Sequence, residues 1–432
     1  MVERGPADTR AAAAEIRREP VGLRGPADAG AGPDPGPAGP ASPGRGWLLG
    51  LGPLVLLAGL VALFLRFDPT GFLREAFPPV EELTIERVTF PAPGRMVVHV
   101  VNGGPEPVTI AQVQVDEAYW QHTVEPDRTV PRLGRVRVEL AYPWVEGEPH
   151  QIGLVSSTGL TFAREVAVAT LTPRTNARYF GTFALLGVYA GVVPVIIGLL
   201  WYPFLRDVSR RWLHFFLSLT IGLLVFLGVD SLHEALESAG RVPDAFQGVG
   251  LVILGVAGSM LALRSAGHAR GSRWGRELDD RHTRLRLAYL IAIGIGLHNL
   301  GEGLAIGASF AVGEIALGSF LVIGFALHNT TEGLGIVAPV ASDRPSLWHL
   351  GAMGGIAGIP TITGAWIGGF AYTPIFGALF LALGAGAIFQ VVAELTRVIQ
   401  RRAADGVFAP LNAAGLAVGL FIMYGTALLV VA

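Results

Sequence analysis

The chain has 432 residues, of which 51% are hydrophobic and 15% charged, with a formal net charge of −2. Ordinary soluble chains carry about 25% charged residues, so a soluble enzyme is a poor match, and so small a net charge carries no message about nucleic acid or acidic partners. There is no cysteine, which excludes disulfides, thiolate metal sites and cysteine nucleophiles, and there is no lysine with which to build an ATP-binding P-loop.

Residues 1–46 are rich in Ala, Pro and Gly and too poor in large apolar residues to bury a core, so a disordered tail is expected. Residues 47–66 form an apolar stretch long enough to span a bilayer. An uncleaved anchor fits better than a signal peptide, because the preceding tail is far longer than a normal n-region and no Ala-x-Ala site follows.

From 81 to 172 the apolar period changes to two, as in Arg95-Met96-Val97-Val98-His99-Val100-Val101, followed by the turn signal Asn102-Gly103-Gly104. About seven short strands with regular turns predict an all-β, immunoglobulin-like sandwich. Its partner is not readable. His99, His122 and His150 are candidates for a metal-delivery site, but three scattered histidines without tight spacing read more simply as ordinary polar residues.

Residues 178–432 resolve into eight apolar segments, roughly 179–201, 213–236, 246–265, 286–309, 315–339, 348–371, 374–397 and 409–431. Arginines alternate between the connecting loops: Arg206, Arg210 and Arg211 in one, seven between Arg264 and Arg286 in the next but one, then Arg397, Arg401 and Arg402. The positive-inside rule puts these loops in the cytoplasm. With the anchor included, the tail is then cytoplasmic, while the β domain and the C-terminus lie outside a multi-pass plasma-membrane protein.

Inside this apolar region stand His298-Asn299-Leu300-Gly301-Glu302-Gly303 and His328-Asn329-Thr330-Thr331-Glu332-Gly333. An ionisable residue at the centre of a membrane helix costs roughly 2.5 to 3.5 kcal/mol, so each is a functional candidate by default. On a helix, His and Glu four residues apart share one face, with the Asn beside them. The two segments lie equally far from a turn near Gly313-Glu314, so an antiparallel pair would bring both imidazoles to one depth, roughly 20 Å from that turn. The bland alternative is two helices that pack through glycine, with each His and Glu only satisfying the other.

These motifs resemble the His-Asn-x-Pro-Glu-Gly repeats of the ZIP (Zrt/Irt-like) family of divalent metal transporters, over roughly residues 178–432. The resemblance implies an eight-helix core in which His298, Asn299, Glu302, His328, Asn329 and Glu332 line a central metal site. Gly301 and Thr331 stand where the family has proline, so the helix break that proline provides must come from glycine or be weaker. The family's sixth core helix often carries a Glu-Pro pair that helps to hold a second metal. Here the matching stretch reads Ile359-Pro360, which implies a single metal.

The remaining acidic residues fall near the two mouths. Asp230 and His233, with Glu234 and Glu237, mark a possible entrance. Glu394 matches an acidic exit position of the family, although Arg397 one turn on is its alternative partner. His268 and His282 sit in the long arginine-rich loop as solvated residues. Imidazole, amide and carboxylate ligands suit Zn²⁺ first, with Fe²⁺ and Mn²⁺ behind it. The expected protein is thus a transporter carrying divalent metal by alternating access, with no cofactor, no enzymatic activity and no nucleic-acid partner. A homodimer is one open assembly. The alternatives are a metal-sensing receptor read out by the β domain and an intramembrane metallohydrolase, which lacks its His-Glu-x-x-His.

Overall fold

The computed structural model describes residues 43–67, 80–268, 281–402 and 406–431. The expected disordered tail lies outside the described residues except where its last residues begin a helix, and so does most of the arginine-rich loop. Helix α1, Pro43–Phe67, covers the stretch expected to be an anchor and begins about a turn before it.

The β domain has nine strands rather than about seven: β1 (Leu83–Ala92), β2 (Arg95–Asn102), β3 (Val108–Val115), β4 (Ala118–Trp120), β5 (His122–Glu125), β6 (Thr129–Val130), β7 (Arg135–Leu140), β8 (His150–Ser156) and β9 (Thr161–Val166). One sheet runs β1-β2-β7-β5; the other runs β4-β3-β8-β9, with β6 added beside β3. The surplus comes from β4 to β6, which are too short to show alternation. Alternation in the longer strands builds the core. Val136, Val138 and Leu140 of β7 turn inward, and with Met96, Ile110 and Ile152 they form one apolar cluster drawn from both sheets. Trp144 closes it, stacking near Phe90 with ring centroids 4.9 Å apart and donating its indole N–H to Ala92 O.

Among the described residues, eight helical segments are long and apolar enough to cross a membrane, so the fold is that of a helical polytopic membrane protein. The first is not the single helix expected over 179–201. It consists of α2 (Ala177–Gly187), a π-helical turn (Val188–Val192), α3 (Val193–Leu199) and, after a tight turn, α4 (Tyr202–Arg206). The others are α5 (Arg210–Ala239), α6 (Gly248–His268), α7 (Arg281–Ala311), α8 (Ile315–Val337), α9 (Leu347–Ala371), α10 (Pro374–Arg402) and α11 (Pro410–Val431). The two motif helices, α7 and α8, run unbroken through Gly301 and Thr331. Without proline every backbone N–H remains available, and Thr331 bonds back within its own helix, to His328 O. The break implied by the family's proline is therefore absent.

Glycine sets the distances around the motifs. A Cβ on Gly303 would come within 2.1 Å of Thr361 O, and one on Gly364 within 2.1 Å of Leu300 O, so α7 and α9 touch backbone to backbone. The turn between α7 and α8 uses Gly313 at φ +85°, the left-handed region that suits glycine.

The β domain is seated on the turn end of these helices. Arg87 donates to Phe370 O, Glu82 accepts from the backbone N–H of Asp244, and Thr170 lies against Gly313. At the opposite end of α7, Arg284 grips Asp343 through two N–H donors at 2.5 and 2.8 Å, and Tyr202 donates to the Asp343 carbonyl. Both side chains of that ion pair are largely buried.

Candidate metal centre

Helix α7 contributes His298, Asn299 and Glu302, and α8 contributes His328, Asn329 and Glu332; all six are buried. The antiparallel pairing about Gly313 does bring the two imidazoles together, with ring centroids 6.4 Å apart. The carboxylates are not equivalent. Glu302 Oε1 accepts from His298 Nε2 at 3.0 Å and also from His328 Nε2, while Glu302 Oε2 accepts from Asn329 Nδ2 at 2.9 Å. Neither oxygen of Glu332 has a hydrogen-bond partner of good geometry among the described residues, although the Asn299 amide lies near it and the residue is only 3% exposed.

Backbone carbonyls fix the amides. Asn299 Nδ2 donates to Ala357 O of α9 at 3.1 Å, and Asn329 Nδ2 also donates to Ala190 O inside the π turn, at 2.9 Å. Both Oδ1 atoms are left without partners. The centre therefore holds four orphaned acceptor oxygens, two on Glu332 and one on each Asn, beside two imidazoles. An unsatisfied buried acceptor costs about 1 to 3 kcal/mol, and a carboxylate more. Hydrogen-bond donors do not meet this demand from within the protein, whereas a cation would. One ligand atom each from His298, His328 and Glu332 lie within 4.8 Å of one another, the only such group of three among the described residues.

Two contacts have no signal in the motifs. Ser231 of α5 bonds His298 Nδ1 at 2.6 Å, and its side chain is fully buried. Thr361 of α9 is also fully buried, its hydroxyl unpartnered, and it presses on Gly191 of the π turn. Each is a single small polar residue in an apolar helix, with no periodicity to distinguish it from one that bonds its own backbone.

The outlying candidates are placed as follows. Asp230 and His233 lie on the exposed side of α5, and His233 pairs with Glu237 at 3.3 Å. Neither joins the central group. Glu234, half-buried, is within electrostatic reach of both Asp230 and Glu302. Glu394 accepts from Arg397 Nη1 at 3.0 Å, the partner that the sequence offers one turn on. In the β domain His99 bonds Thr89, His122 bonds the Trp120 carbonyl and His150 bonds Asp116, so each has its own polar neighbour and the three form no shared ligand group. Burial, then the charges of Arg87 and Arg137, push His99 down to about 4, and burial with the Asp116 hydrogen bond pushes Tyr142 up to about 12.

No protein-family model matches the chain, and no curated protein matches it.

Proposed function

We propose that the protein is a transporter of divalent metal cations, zinc first, and that the cation passes through the centre formed by His298, His328, Glu302 and Glu332. The observation that carries this reading is the set of four orphaned, buried acceptor oxygens beside two imidazoles at the middle of an apolar bundle. A site made of lone pairs and negative charge, several of its acceptors left without donors, has the chemistry of a cation site. Imidazole and carboxylate donors favour Zn²⁺, with Fe²⁺ and Mn²⁺ next, and disfavour Cu⁺.

In this reading the cation exchanges water for His298, His328 and Glu332, and Glu302 turns from bridging the imidazoles to neutralising the metal. A metal held through Nε2 of His298 requires the ring proton on Nδ1, where Ser231 Oγ accepts it. Release follows when helices move and water or a proton replaces a ligand, as alternating access requires. The resemblance of both motifs to the ZIP repeats supports the same conclusion, although Gly301 and Thr331 depart from the family's proline. We read the β domain as an immunoglobulin-like sandwich on the outer side of the plasma membrane, with the arginine-rich loops inside.

The test is metal flux. Purified protein in liposomes should accumulate Zn²⁺, and His298→Ala and Glu332→Ala should each lower uptake by more than about 100-fold, since each removes a direct ligand. Normal flux in both folded variants would sink the assignment.

A further inference from the structure

A cavity reaches the motif helix from the β-domain side. It has a volume of about 480 Å³ and lies between the β domain and the membrane helices. One of its walls is a stripe of α7 at helical spacing, Gly301, Ala305, Ala308 and Val312, and its deepest lining residue on that helix, Gly301, immediately precedes Glu302. Glu234 and Glu237 of α5 line a second wall. The rest is made by the β domain, with Glu165, Arg87 and Arg164 among its contributions.

The volume and the charge both suit an ion with its water. A divalent cation carrying about six waters, each of about 30 Å³, fills roughly 180 Å³, so it fits with room to turn. The two β-domain arginines are tied to backbone carbonyls, Arg87 to Phe370 O and Arg164 to Ile85 O and Glu86 O. Those two guanidinium charges are thus held against the walls; Arg241 also lines the cavity and is exposed, as are Glu165 and Glu237, but with Glu86, Glu234 and Glu314 the acidic side chains of the lining outnumber the basic ones. The far end of the same helices is tied together by the buried Arg284–Asp343 pair and Tyr202.

We infer that this cavity is the entry vestibule for a hydrated divalent cation and that the β domain, through its Glu165 wall, forms the outer half of it. The inference rests on the transport reading and adds to it a role for the β domain, that of shaping the field through which the cation arrives. The domain is part of the conduction path and not an appended sensor.

The chain contains no cysteine, so single cysteines can be placed without a background. Glu165→Cys in the vestibule, Ala305→Cys on its α7 wall and Asp127→Cys elsewhere on the β domain are each made in the full chain and reconstituted. Impermeant thiosulfonates carrying a positive or a negative charge are added on the β-domain side, and initial Zn²⁺ uptake is measured. At Ala305→Cys both reagents should block uptake. At Glu165→Cys the cationic reagent should slow it several-fold more than the anionic one, and at Asp127→Cys neither should matter. Equal effects at Glu165→Cys and Asp127→Cys, or no block at Ala305→Cys despite complete labelling by mass, would overturn the vestibule while leaving transport intact. Absence of flux in every unmodified protein would overturn the transport reading and the vestibule with it.

Discussion

The two His-Asn-x-x-Glu-Gly segments are near copies in sequence, yet their glutamates end in opposite circumstances. Glu302 receives three hydrogen bonds, from His298, His328 and Asn329, whereas Glu332 has the Asn299 amide near it but no hydrogen bond of good geometry among the described residues. The motif does not decide this; the neighbours do. Asn329 can reach across to Glu302 because its amide is also held by Ala190 in the π turn, while the amide of Asn299 is taken up by Ala357. A repeated motif therefore supplies equal parts from which the surrounding helices build an unequal site: one carboxylate organises the imidazoles and the other is left with its charge unspent.

That inequality is open to direct attack. Glu302→Gln should destabilise the protein by about 2 kcal/mol, because it weakens charge-assisted bonds from both imidazoles and sets an amide N–H against Asn329. Glu332→Gln should leave stability unchanged or raise it, since it removes a buried charge without a partner. Thermal unfolding in detergent compares the two, and equal losses would show that the glutamates are interchangeable after all.

A smaller effect is expected one layer out. Ser231→Ala should weaken Zn²⁺ binding by about 10-fold while the protein still folds, with Ser231→Thr restoring most of it, because the hydroxyl orients His298 and does not itself bind. Unchanged affinity, measured by competition with a metal-sensitive dye, would mean that His298 is oriented by packing alone.

The smallest effect belongs to the β domain, whose histidines offer a contrast with the centre. His99 is pushed down to about 4, so as pH falls the unfolded chain, at about 6.5, takes its proton first. Its contribution to stability is complete above pH 6.5 and is lost progressively between there and pH 4. His99→Gln should flatten that portion of the curve of melting temperature against pH for the β-sheet signal. An unaltered curve would assign the acid sensitivity to other groups.

Much of this could be read in the sequence. The period of two announced the β domain, the long apolar runs announced the spans, and the equal spacing of the motifs from Gly313 announced that His298 and His328 would meet. What escaped did so for physical reasons. Ser231 lies 67 residues from the histidine that it touches, on a helix whose apolar face gives no hint of it. The primacy of Glu302 depends on Ala190, a backbone carbonyl, and backbone groups have no signature in a sequence. Strands of two to four residues, as in β4 to β6, are shorter than the alternation that would reveal them.

The π turn at Val188–Val192 has a consequence for insertions and deletions. Such a turn accommodates one residue more than an α-helix would over the same length. Losing any one of its five residues would let the helix close into a regular spiral, a change that secondary-structure energetics alone would welcome. The helices on either side would keep their phase, because the turn absorbs its extra residue locally, so the loss would fall on the turn itself. Gly191, set against Thr361, and the Ala190 carbonyl, which holds the Asn329 amide, would both be displaced. Within a stretch of ordinary apolar residues, chain length is therefore fixed more tightly than residue identity, and a one-residue gap there should be rarer than almost any single substitution.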